Sequence, residues 1–103
     1  MNISLQINIL YVGLHKEITA TVVRLINANV NWNGIGVCDV HQAKQSFSAI
    51  PFSLVLLGSG LDEKCETELC SFFRKENPNI KIVQHYGGGS GLLNSEILVA
   101  LEI

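Results

Sequence analysis

The sequence predicts an α/β fold: a three-layer αβα sandwich around a parallel four-stranded sheet of order 2-1-3-4. Two features of the 103-residue chain carry that expectation. Four short apolar runs of strand character alternate strictly with four runs whose apolar residues recur at helical spacing. Such alternation gives a parallel sheet with right-handed crossovers and helices on both faces. The third run, FSLVLL from Phe52 to Leu57, is continuously apolar between Pro51 and Gly58, as a strand buried on both faces requires. In an open sheet of this order a ligand would lie at the carboxyl ends of strands one and three, where the order reverses.

The elements follow in order. Strand one is LQINILYV, Leu5 to Val12, closing at Gly13. Helix one begins near Lys16 and places Ile18, Val22, Leu25 and Ile26 on one face, and the Asn-rich INANVNWN ends it. GIGVC, Gly34 to Cys38, reads as strand two. Asp39 stands at an N-cap position with Gln42 three residues on, the spacing of a capping box. Ala43, Phe47 and Ile50 supply the buried face of helix two, and Pro51 stops it. After strand three, Asp62 caps a third helix with Cys65, Leu69, Phe72 and Phe73 as its apolar stripe, and Asn77-Pro78 terminates it. IKIVQ, Ile80 to Gln84, is strand four. Past the glycine-rich HYGGGSG, Asn94 is expected to cap a last helix, with Leu93 and Leu98 in staple positions and Ile97, Leu98 and Leu101 facing the core.

Composition narrows the function classes. Nearly half the residues are apolar and 16% are charged, which suits a single folded domain over 1–103. The net charge is −2, and the seven Lys and Arg are scattered from Lys16 to Lys81 without a basic stripe, so nucleic acid is not an expected partner. The first residues, MNISLQINILYVG, lack a basic leader, and Asn2, Gln6 and Asn8 interrupt their apolar run. No stretch approaches the ~20 apolar residues of a membrane span. A soluble cytoplasmic protein is the expectation. The three cysteines, Cys38, Cys65 and Cys70, form no Cys-x-x-Cys. Cys65 and Cys70 fall about 140° apart around a helix, which suits reduced thiols better than a disulfide.

The stretches ILYVGLHKE, GVCDVHQAKQSFSAIPFSLVLLG and FFRKENPNIKIV resemble a response-regulator receiver domain, a flavodoxin-like fold, over about Ile7 to Val83. The resemblance implies a truncated receiver with one strand fewer than the family's five. The tail GSGLLNSEILVAL also reads as a family-like last strand and helix fused onto strand four. In the family, an acidic pair after strand one holds magnesium, an aspartate after strand three takes the phosphoryl group, and a Ser or Thr follows strand four. Here the acidic pair falls on Gly13 and Leu14, the phospho-acceptor on Gly58, and the Ser/Thr on His85 or Tyr86. Phosphoryl transfer needs a carboxylate nucleophile and a metal to neutralise developing charge, and glycine offers neither. The resemblance therefore implies a non-catalytic, non-phosphorylatable interaction module of bacterial-type signalling, without a cofactor.

A competing reading is a small-ligand or anion-binding domain that uses the same glycine-rich edge of the sheet, with enzymatic activity through His15 or His85 as an option. Gly13, Gly58, Gly60 and the Gly87–Gly91 cluster all lie at strand ends, where successive backbone N–H groups can hold an anion. The candidate residues are His15, Ser59, Gly60, His85, Gly87, Gly88, Gly89 and Ser90. The motif tests fail, however. Gly87 and Gly89 begin a G-x-G-x-x-G whose third position is Leu92, Gly58 and Gly60 begin one whose third is Glu63, and no Gly-Lys-Ser/Thr occurs. A bland turn serves equally well. His15, His41 and His85 all follow strands. His41 and His85 sit three strand spacings apart, about 14 Å, while His15 and His85 would meet across strand three with Asp62 as a third ligand. Solvated loop histidines are the simpler reading, and no metal site is expected. Finally, with four strands, strand four becomes an exposed edge. Receiver domains commonly dimerise through that side, so the resemblance points to a homodimer or a partner signalling protein covering Ile80, Ile82, Gln84 and Tyr86.

Overall fold

Each strand turns successive side chains to opposite faces, and each helix covers one face of the sheet. The computed structural model describes residues 7–58, 60–85 and 90–101, with the backbone alone for 90–92. The order is β1 (Ile7–Val12), α1 (Lys16–Asn27), β2 (Trp32–Val37), α2 (Val40–Ala49), β3 (Leu54–Leu57), α3 (Glu63–Glu76), β4 (Lys81–Gln84) and α4 (Ser90–Leu101). All three strand pairings are parallel and the sheet order is β2-β1-β3-β4, as the sequence predicts. Leu5 and Gln6, expected in strand one, lie outside the described residues.

Two apolar layers sandwich the sheet. Leu10, Val12, Val55 and Leu57 pack toward α2 and α3, where the rings of Phe47 and Phe73 meet at a tilt of 39° with centroids 4.5 Å apart. Ile9, Tyr11, Leu54 and Leu56 pack toward α1 and α4, against Val22, Ile26, Leu93 and Ile97. The two central strands β1 and β3 are buried on both faces, which explains their lack of polar alternation.

Asparagines that read as interruptions turn out to be ties. Asn8 of β1 accepts a hydrogen bond from the Asn33 side chain (3.0 Å) and donates to the Pro51 carbonyl (2.9 Å). Asn27 closes α1 by accepting from the Gly34 backbone N–H at 2.7 Å. The Trp32 N–H reaches the Asn29 carbonyl and the Ile7 N–H the Asn31 carbonyl, so β2 starts at Trp32 and not at Gly34. β3 likewise starts at Leu54, leaving Phe52 buried but outside the ladder, and β4 starts at Lys81.

The caps match the sequence with one shift. Asp39 accepts from the Gln42 N–H and Asp62 from the Cys65 N–H, each at 2.7 Å. The Gln42 side chain reaches back to the Cys38 N–H, one residue before the expected capping-box donor. The Cys65 bond holds the exposed Asp62 carboxyl below its ordinary range.

Two expected helix faces need correction. In α1 the buried positions are Thr19, Val22 and Ile26, while Ile18 is 47% exposed. Thr19 wins the inward place because its hydroxyl donates to the Gly13 carbonyl at 3.0 Å, anchoring the first turn of α1 to the end of β1. α4 starts before Asn94, which is an exposed interior residue and not a cap. Leu93 and Ile97, four apart, are buried, whereas Leu98 is 58% exposed, so no staple forms. Almost every side of α4 is apolar, and its sequence therefore carries little signal about which side faces inward.

Leu93→Ala is expected to cost about 2–5 kcal/mol in urea unfolding, as for any buried leucine. Leu98→Ala is expected to stay within about 0.5 kcal/mol of wild type. The reverse ranking would restore the staple.

Candidate functional site

The switch point of this sheet lies between β1 and β3, and two glycines end those strands side by side. The Gly58 N–H donates to the Val12 carbonyl at 2.7 Å and the Gly13 N–H to the Val37 carbonyl at 3.1 Å. Between them lies the ring of Tyr11, two residues before Gly13 and so on the same face of β1. A Cβ built on Gly58 would stand 2.1 Å from the Tyr11 hydroxyl and 2.5 Å from Cζ, and one on Gly13 would stand 2.7 Å from Cε2. These are overlaps with a side chain that is 1% exposed and packed in the α1/α4 layer. Gly58 has no positive φ, so space and not backbone conformation demands glycine there.

A second contact continues from the ring. His85 follows β4 directly, and its N–H donates to the Leu57 carbonyl at 2.8 Å, extending the ladder by one bond. Its imidazole is 5% exposed and sits edge-on to Tyr11, with ring centroids 6.3 Å apart at 73°. His85 Nδ1 faces the Glu96 carboxylate of α4, which accepts from it. Tyr11, His85 and the half-buried Glu96 thus form a row from the middle of the sheet to its covering helix. Burial pushes the Tyr11 phenol above its ordinary pKa, and nearby Cys38 adds to the shift.

The sequence-derived candidates divide accordingly. His85 is not a solvated loop histidine; its own chain claims it through Tyr11 and Glu96. His15 is exposed at the start of α1 and makes no side-chain cap. Leu14 is exposed beside it. Gly60 does adopt a positive φ, +97°, and a Cβ there would contact Leu14 and His15 at 3.5–3.6 Å, so the loops after β1 and β3 meet. Ser59, Tyr86, Gly87, Gly88 and Gly89 lie outside the described residues, and Ser90 opens α4. The conceived trio of His15, His85 and Asp62 is not assembled: among the described residues no group of three or more His, Cys, Asp or Glu is placed to hold a metal. Of the interface candidates, Ile80 is buried in the α2/α3 layer, Ile82 is half-buried against it, and the Gln84 amide donates to Glu66 at 2.7 Å. All three cysteines are free and half-buried. No helix among the described residues is long and apolar enough to cross a membrane.

Tyr11, Thr19 and Glu96 are absent from the sequence-derived candidates. The available signal was a large aromatic two residues before a strand-ending glycine, and a lone acid within the apolar run of the last helix.

No family model matches the sequence, and no curated protein matches it. Among solved structures, the chain is similar to the signal receiver domain of an HD domain-containing protein from Pseudomonas fluorescens Pf-5, with TM-score 0.68 and 17% identity over 100% of this chain and 75% of that one. It is similar to a response regulator from Thermotoga maritima, with TM-score 0.65 and 19% identity over 90% and 78%. It is also similar to a putative pilus assembly-related protein from Burkholderia pseudomallei K96243, with TM-score 0.59 and 14% identity over 94% and 75%. The shared property is a receiver-like fold.

Two outcomes test the row. Unfolded tyrosine ionises near pH 10, whereas buried Tyr11 resists ionisation. The stability of wild type relative to Tyr11→Phe should therefore be constant below about pH 10 and shift in favour of Phe above it. A difference that stays flat to the alkaline limit would place the hydroxyl in water. Glu96→Ala should cost about 1–3 kcal/mol by leaving the buried imidazole N–H unpaired, with Glu96→Gln milder because it keeps an acceptor. Equal, negligible losses in urea unfolding would remove the His85–Glu96 contact from the account.

Proposed function

We propose that this chain is a receiver-fold protein-interaction module of a signalling system, without catalysis and without aspartyl phosphorylation. The observation that carries the reading is the Tyr11 ring standing where a side chain at Gly58 would begin. In the receiver domains that the sequence resembles, that position supplies the nucleophile and the end of strand one supplies magnesium ligands. Here neither Gly13 nor Gly58 has a side chain, and Leu14 has no donor atom. Aspartyl phosphorylation needs both a carboxylate and a charge-neutralising cation.

The position after β4 supports the same reading. A switch residue must move between two arrangements. His85 is instead packed against Tyr11 and bonded to Glu96, which ties the end of β4 to α4 in one arrangement. A module built this way presents a constant surface. Its output is the partner it binds, and its regulation comes from the availability of that partner.

Incubation of the full chain with a small phosphodonor and Mg²⁺ should leave the intact mass unchanged. Stable addition of one phosphoryl group, mapped to any acidic residue at the carboxyl edge of the sheet, would overturn the reading.

A further inference from the structure

Asn33-Gly34 in β2 is the one Asn-Gly pair of the chain. Asparagine is chemically labile, and glycine after it makes it most so. A base removes the glycine amide proton, and the nitrogen attacks the side-chain carbonyl carbon of the asparagine. A new C–N bond closes a succinimide ring. The Cγ–Nδ2 bond breaks, and the amide nitrogen leaves as ammonia after taking a proton back from water. Water then opens the ring at either carbonyl, giving aspartate or isoaspartate. Glycine favours the attack because no Cβ hinders its nitrogen and its backbone turns freely.

Packing explains why the pair is there. A Cβ on Gly34 would stand 2.8 Å from Ile26 Cγ2 and 3.0 Å from Ile26 Cβ, and Ile26 is fully buried. The seating of α1 on β2 therefore demands glycine at 34. Asn33 serves the sheet, since its side-chain amide donates to Asn8 of β1 at 3.0 Å. Both residues have structural work, so the hazard has to be met by a third.

That third residue is Asn27, the last of α1. The Gly34 N–H donates to Asn27 Oδ1 at 2.7 Å, and Asn27 Nδ2 donates to the Gly34 carbonyl at 3.3 Å. The side-chain amide pairs with the outer edge of β2 much as a neighbouring strand would. It covers the proton that a base must remove. The Asn33 amide, the group that must leave, is engaged by Asn8, and the β1 ladder holds Asn33 extended. Ring closure needs rotation about the Asn33 Cα–C bond, which that pairing prevents.

We propose that Asn33 is a latent deamidation site, held shut by the Asn27 side chain and opened when the end of α1 parts from β2. The modification is a one-way mark of that opening. Aspartate at 33 turns a carboxylate toward the Asn8 carbonyl oxygen, where an N–H donates in the intact chain. Isoaspartate adds a methylene to the backbone of β2 and displaces the following residues against β1. The inference is independent of the interaction-module reading.

Ageing of the full chain at mildly alkaline pH tests it, followed by intact mass and by peptide mapping that separates aspartate from isoaspartate. The folded wild type should keep its amide at Asn33, and the same chain in urea should lose it. Asn27→Ala should deamidate at Asn33 about tenfold faster than the wild type with unchanged circular dichroism, because two hydrogen bonds no longer oppose local opening. Should that variant fail to fold, hydrogen exchange of the wild type carries the test. The Gly34 N–H should be protected, and urea should speed its exchange and the deamidation in step. A folded wild type that deamidates at Asn33 as fast as the chain in urea would overturn the proposal. So would a folded Asn27→Ala as durable as the wild type, or a Gly34 N–H that exchanges freely.

Discussion

The ring of Tyr11 lies between two strand ends that have no side chains, and much of the carboxyl edge is arranged around it. Its Cε2 side meets Gly13 and its hydroxyl end meets Gly58. A buried tyrosine brings a large apolar area into the core. Here the area becomes available only because β1 and β3 both end in glycine. The same ring gives His85 an aromatic edge to pack on, and His85 in turn positions Glu96 of α4. One side chain thus connects the central strands, the edge strand and the last helix.

The open α/β sheet leaves a crevice at its switch point, which is where ligands and reacting groups are ordinarily placed. At that point the Tyr11 ring takes the space that side chains at Gly13 and Gly58 would need. The two faces of the sheet are covered, α1 carries its own polar exterior, and α3 carries acids that are partly engaged, Glu66 by Gln84 and Glu68 by Lys44. Beside β4, an apolar groove of about 340 Å³ is lined by Val83, Ser95, Glu96, Val99 and Ala100, with Val99 exposed.

Much of the fold was legible because its signals are local. The alternation of runs, the continuous apolar FSLVLL, the caps Asp39 and Asp62 and the stop at Pro51 each depend on neighbours in sequence. Two errors concern helix faces. Ile18 looked like a core residue until the Thr19 hydroxyl found the Gly13 carbonyl six residues away, and Leu98 looked buried because an apolar helix has no preferred face in sequence. The site was legible only as a place. Glycines at strand ends mark where a ligand would sit, but whether they frame a cavity or accommodate a ring depends on which way Tyr11 points. The partnership of His85 and Glu96 likewise joins residues eleven apart in sequence, and neither residue forms a motif with the other.

The central claim is that Tyr11 and Gly58 share one space. The direct measurement is a double-mutant cycle of Tyr11→Ala and Gly58→Ala, read by urea unfolding. In the wild-type background the added methyl group should cost about 1–3 kcal/mol, as overpacking of a filled site does. In the Tyr11→Ala background the same methyl should be tolerated or mildly stabilising, giving a coupling of about 1–3 kcal/mol. Additivity within about 0.5 kcal/mol would mean that the ring lies elsewhere and that the space at Gly58 is open.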